Sequence, residues 1–141
     1  MSYVSIPDLV TAYSEQALID LTDRDDPPSG AIVEAVVLAA IQRACAEVDS
    51  YLGQRYGVPL ADVPVAVADA TLTITWYRLH PDGADAPALR IRYEDAIRWL
   101  RDVAAGRAAL PGVVNNAASP AVSLAQVVAG PARVFGRRGA R

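Results

Sequence analysis

Residues 31–56, AIVEAVVLAAIQRACAEVDSYLGQRY, carry the clearest pattern in the chain. Val37, Ile41, Ala44, Val48, Leu52 and Tyr56 recur at spacings of four and three, which puts them on one face of an α-helix, while Glu34, Arg43, Glu47 and Ser50 fall largely off it. At ~1.5 Å per residue this span predicts a helix roughly 39 Å long. An apolar stripe of that length must be covered by other elements, and the flanking sequence supplies further helices.

Upstream, Ser5-Ile6-Pro7-Asp8 reads as a helix start: Ser5 caps, Pro7 is tolerated in the first turn, and Asp8 suits the positive end of the dipole. A short helix to about Tyr13 follows, then a second short apolar segment through Ala17, Leu18 and Leu21. The loop 22–30, TDRDDPPSG, resembles a calcium loop only superficially. Counted from Asp23, the sixth position, where an EF-hand needs glycine, is Pro28, and the paired prolines break the required backbone.

Downstream, Pro59 and Pro64 punctuate a loop, and Asp62 is the expected N-cap of a helix with Val65, Ala68, Leu72, Trp76 and Leu79 facing inward. The β-branched run from Thr71 to Thr75 makes a strand the competing reading there. His80-Pro81-Asp82-Gly83 stops the helix. Asp85 and Pro87 begin another, which turns Leu89, Tyr93, Ile97, Leu100 and Val103 inward, ends at Gly106, and pairs Arg90 with Glu94 and Arg98 with Asp102 on its outer side. The fold expected is all-α: a compact bundle of one long and several shorter helices, with three or four of them forming the core. Tyr51, Leu52 and Tyr56 are expected to pack against Tyr93 and Ile97.

Periodicity stops after Leu110-Pro111-Gly112, which divides the chain into a helical core domain, 1–112, and an extended, mobile C-terminal tail, 113–141. The charge divides at the same place. Residues 1–112 hold all 16 acids and 9 of the 13 basic residues, whereas the tail holds four arginines and no acid. All the basic residues are arginine, as a GC-rich genome would favour.

Chemistry finds little to work with. The single cysteine, Cys45, lies in the long helical pattern and reads as a buried thiol, so neither a disulfide framework nor a cysteine metal site is expected within one chain. His80 is the lone histidine and sits in a turn without a nucleophile or second ligand at useful spacing. No G-x-G-x-x-G or H-E-x-x-H occurs, and a chain without lysine cannot form an ordinary phosphate-binding P-loop. Carboxylate pairs such as Asp23 with Asp25, or Glu94 with Asp95, are adjacent or in loops and read as solvated acids. Neither catalysis nor a cofactor nor a metal is therefore expected. The first ten residues have no basic, apolar leader pattern and no stretch is membrane-like, so the chain is expected to be made in the cytoplasm. Nucleic-acid binding is the alternative: short helices joined by turns can mimic a helix-turn-helix and the tail is arginine-rich, but the acidic core weakens attraction to phosphate.

Three stretches together carry a family resemblance. They are residues 44–60, ACAEVDSYLGQRYGVPL, with Tyr51, Leu52, Arg55 and Tyr56; residues 92–100, RYEDAIRWL, with Arg92 and Tyr93, followed by Gly106 and Leu110; and Arg133-Val134-Phe135-Gly136-Arg137 in the tail. In this order, with Tyr3, Asp8-Leu9 and Leu21-Thr22-Asp23 ahead of them, they resemble the head-tail connector (adaptor) family of Mu-like bacteriophages. The resemblance implies a structural virion protein at the head-tail junction, assembled in the host cytoplasm as a homo-oligomeric ring of about a dozen subunits. It further implies contact with the portal protein above and a tail-side connector or terminator protein below, with genomic DNA passing through the lumen without specific binding. An acidic or neutral lumen, drawn from residues such as Asp8, Glu15, Glu34 and Glu47, suits DNA that must slide. In the tail, Phe135 is the expected portal-docking anchor, with Val134 beside it and Arg133 and Arg137 as charged flanks.

Overall fold

A computed structural model of the chain describes residues 2–81 and 86–115. Its elements are α1 (Ile6–Tyr13), α2 (Glu15–Thr22), α3 (Glu34–Leu52), α4 (Val65–Leu79) and α5 (Pro87–Ala104), with no strand among the described residues. The expected all-α bundle is present. The residues expected to dock the tail, Arg133, Val134, Phe135 and Arg137, lie outside the described residues, as do Asp82, Gly83 and Asp85.

The first helix starts as its sequence requires. The Asp8 carboxylate accepts from the Ser5 backbone N–H at 2.8 Å, and the Ser5 hydroxyl completes the capping box. Those hydrogen bonds hold the Asp8 carboxyl below its ordinary pKa. Ser14, at φ 78°, makes the sharp corner into α2 and caps it by accepting from Ala17 N–H. Thr22 links α2 to the long helix: its hydroxyl donates to Leu18 O at 2.7 Å and accepts from Val33 N–H at 3.1 Å, just before α3 begins.

The long helix is shorter than its periodicity suggested. It ends at Leu52, and Gly53 opens a turn in which both Arg55 N–H and Tyr56 N–H donate to Leu52 O at 2.9 Å. The stripe is still buried throughout, from Val37 to Leu52, with Tyr56 only 4 % exposed at the far side of the turn. Tyr56 therefore follows the helical spacing without belonging to the helix.

The fourth helix departs from expectation in two ways. Asp62 is not its N-cap; Pro64 is. A residue preceding proline is driven away from helical geometry, so Val63 cannot be the first helical residue that an Asp62 cap would require. Of the expected inward face Val65, Ala68, Leu72, Trp76 and Leu79, only Leu79 is fully buried. Val67, Ala70, Thr71, Ile74, Thr75 and Leu79 are buried, whereas Val65 is 85 % exposed. The cause is position: α4 lies between α3 and α5 and also meets α1, so it needs two packed sides. Its threonines serve on the deeper one, because the hydroxyls of Thr71 and Thr75 donate to Val67 O and Thr71 O at 2.7 Å and leave only methyl groups to pack. The β-branched run is thus helical. Ala68, Leu72 and Trp76 are half-buried on the other side, where Trp76 stacks on Tyr13 with centroids 4.0 Å apart.

On α5, Ile97, Leu100 and Val103 face the core as expected, with Tyr93 half-buried. Arg90 pairs with Glu94 at 3.6 Å, but Arg98 does not reach Asp102. It turns back to Asp95 at 2.8 Å, and Asp102 binds Arg107, whose backbone N–H closes the end of the helix on Asp102 O.

Candidate interaction surfaces

The first signature segment brings the two ends of the described chain onto α3. The Tyr3 hydroxyl donates to the Asp49 carboxylate and accepts from Leu60 N–H at 3.1 Å. The Tyr56 hydroxyl accepts from Leu110 N–H at 3.2 Å, and the Tyr56 backbone pairs antiparallel with Asn115. Leu52, Tyr56, Leu60 and Leu110 are all buried. The loop between Tyr56 and α4 is thereby pinned at several points while its outer side shows Val58, Val63 and Val65 to solvent, together with Val114.

Arg55, a signature residue, is half-buried and lies across the C-terminal end of α5. A Cβ added to Gly106 would sit 1.6 Å from Arg55 Nη1, and Gly106 has φ +78°. A guanidinium at the negative end of a helix is favourably placed. Gly106→Ala is therefore expected to lower stability by about 1–2 kcal/mol, the cost of a left-handed non-glycine residue, besides displacing Arg55. Urea unfolding measures the loss; repeating it with Arg55→Ala should recover the steric part only.

The second signature pair divides between two surfaces. Tyr93 stacks on Tyr77 with centroids 4.3 Å apart and donates to Glu47 Oε1 at 2.8 Å, while Arg78 Nη2 holds Glu47 Oε2 at 2.5 Å. Glu47 is therefore committed to a pair of neighbours and is no longer a free charge for a lumen; Asp8, Glu15 and Glu34 remain exposed. Burial above all, then the hydrogen bond and charge of Glu47, push the Tyr93 phenol up to about 12 against the lowering influence of Arg78. A raised phenol pKa means that this group's contribution to stability is complete below the unfolded value near 10 and is lost as pH rises through about 12. Tyr93→Phe should remove one phenolate step near pH 12 from the ultraviolet absorbance titration.

Arg92 points the other way, into a cleft of about 510 Å³ shared with Tyr13, Asp69, Asp95 and Trp99. Another concavity, about 390 Å³, runs along the outside of α3 between Arg24, Val36, Ala39, Arg43 and Arg78. Neither Arg24 nor Arg43 stands out in the sequence, because each looks like an ordinary surface arginine until the loop after α2 and the end of α4 bring them beside Arg78. Val36, 39 % exposed, is the groove's exposed large apolar side chain.

Among the described residues no three His, Cys, Asp or Glu side chains converge as metal ligands, and no helix is long and apolar enough to cross a membrane. Asp23 uses its carboxylate to order its own loop, accepting from Gly30 N–H at 2.6 Å.

The family model described as Bacteriophage Mu, Gp36 matches residues 3–129. Gene product J of Escherichia phage Mu is 32 % identical over 140 residues, covering 98 % of this chain and 96 % of that protein. The Mu-like prophage FluMu protein gp36 of Haemophilus influenzae is 39 % identical over 84 residues, 60 % of this chain and 59 % of that protein. The chain is thus a helical phage protein of the Mu type. It belongs to the Bacteriophage Mu, Gp36 family.

Proposed function

We infer that the chain is a non-catalytic structural subunit of the phage neck. Copies assemble as a ring of about a dozen beneath the portal, join the DNA-filled head to a tail-side connector or terminator protein, and remain in the virion at that junction. DNA passes through the lumen without sequence readout, and the acid-rich helical body opposes its adhesion.

The observation that carries this reading is the co-linear relation to a phage Mu gene product along 98 % of the chain. The described surfaces support it. They are shallow and spread over several faces, beside a pinned loop that shows valines to solvent, as suits a part that contacts several neighbours. Inactivating the gene in an inducible phage tests it: filled heads and finished tails should accumulate unjoined, and an antibody to the chain should label the neck of wild-type particles. Normal particles from the inactivated phage, or label on the tail tip or capsid shell, would overturn it.

A further inference from the structure

Two exposed apolar surfaces on this subunit are unlike each other and lie towards opposite ends of α3. One is the groove against its N-terminal half. Val36 and Ala39 form part of the floor, and Arg24, Arg43 and Arg78 rim it. The other is the turn Asp62-Val63-Pro64-Val65, which follows the C-terminal end of α3. Its Val65 side chain is the most exposed large apolar group among the described residues, at 85 %.

This turn is presented rigidly. Leu60, just before it, is buried and donates to Tyr3, and Pro64 caps α4 by accepting from Val67 N–H and Ala68 N–H at 2.9 and 3.1 Å. Little conformational freedom remains to be lost when such a turn docks. The charges are complementary as well. From Gly57 to Tyr77 the chain has two acids, Asp62 and Asp69, and no base. The groove has three arginines, of which Arg78 is held by Glu47 while Arg43 forms no ion pair with a described residue.

We propose that the groove on α3 receives the Asp62–Val65 turn of a second copy, with Val63 and Val65 on its apolar floor and Asp62 facing Arg43 and Arg24. Groove and turn are different surfaces of one subunit, so the contact is heterologous: each copy gives its turn to one neighbour and its groove to another, which closes into a ring when the rotation per subunit allows. The proposal rests on the ring reading above and specifies which surfaces make the ring.

The test uses the full-length chain, with sedimentation velocity across micromolar to millimolar concentration. Val65→Asp and Val36→Asp each place a charge on an exposed apolar position, so both variants should keep the wild-type helical circular dichroism. Each alone should sediment as a monomer, with association weakened at least about tenfold. Mixed in equal amounts, they should form a dimer and nothing larger, because the intact turn of the Val36→Asp chain still fits the intact groove of the Val65→Asp chain. Asp62→Arg should also weaken association, and Arg43→Asp added in a partner chain should restore it, a pair that leaves the apolar contacts unaltered.

Wild-type oligomers that persist in Val65→Asp overturn the assigned surfaces and leave the ring reading intact. A mixture that yields no dimer does the same, as when the groove serves an acidic segment of another protein. A wild-type chain that stays monomeric at every concentration overturns both.

Discussion

Leu52→Ala is expected to lower the unfolding free energy by about 2–5 kcal/mol, more than any other substitution considered for this chain. Leu52 is fully buried in the core cluster, and its carbonyl receives the N–H groups of both Arg55 and Tyr56. The cavity left by the lost methyl groups opens where α3 ends and where Tyr3, Leu60 and Leu110 are tied in. Relaxation that fills it must shift the turn that places Tyr56. Urea denaturation should show a lower midpoint with an unchanged slope. A change below about 1 kcal/mol would mean that this corner is more loosely packed than described.

The second large effect concerns assembly rather than stability. Removing residues 116–141 should leave the melting temperature and helical content of the body unaltered, yet reduce incorporation into particles at least about tenfold. The cut belongs at 116 and not at 113, because Val113 packs on the core and Asn115 pairs with Tyr56. Phe135→Ala should reproduce most of the loss. It is the chain's only phenylalanine, standing between Arg133 and Arg137 in a segment with little apolar surface of its own. Quantifying the subunit in purified virions is the deciding measurement: truncated chains incorporated at wild-type levels would remove the tail from any account of docking.

The helical class and the stripe of α3 were legible because a single amphipathic period dominates residues 34–52. Where α4 was concerned, the same logic selected Val65 and Trp76 for the interior and passed over Thr71 and Thr75. Periodicity identifies a preferred side only for a helix with one neighbour, and α4 has packed sides towards both α3 and α1. The ion pair expected between Arg98 and Asp102 failed for a comparable reason, since Arg107, beyond the helix, competes for Asp102. Arg55 and Gly106 could each be noticed in the sequence, but that one lies across the other depends on how α5 meets the end of α3. The groove of Arg24, Arg43 and Arg78 draws on three elements and has no signature in any one of them.

The tyrosine pins have a consequence for the order of events during synthesis. Tyr3 reaches Leu60 across 57 positions, and Tyr56 waits for Leu110 across 54. A ribosome that has released α3 and α4 has therefore produced a body whose final corner is still open, with Tyr56 lacking the amide it will accept from. Such distant pairings close late, because the intervening chain must first be made and gathered in. The corner they complete buries Leu52, Leu60 and Leu110. Unfinished chains thus leave that corner open until Leu110 has been released.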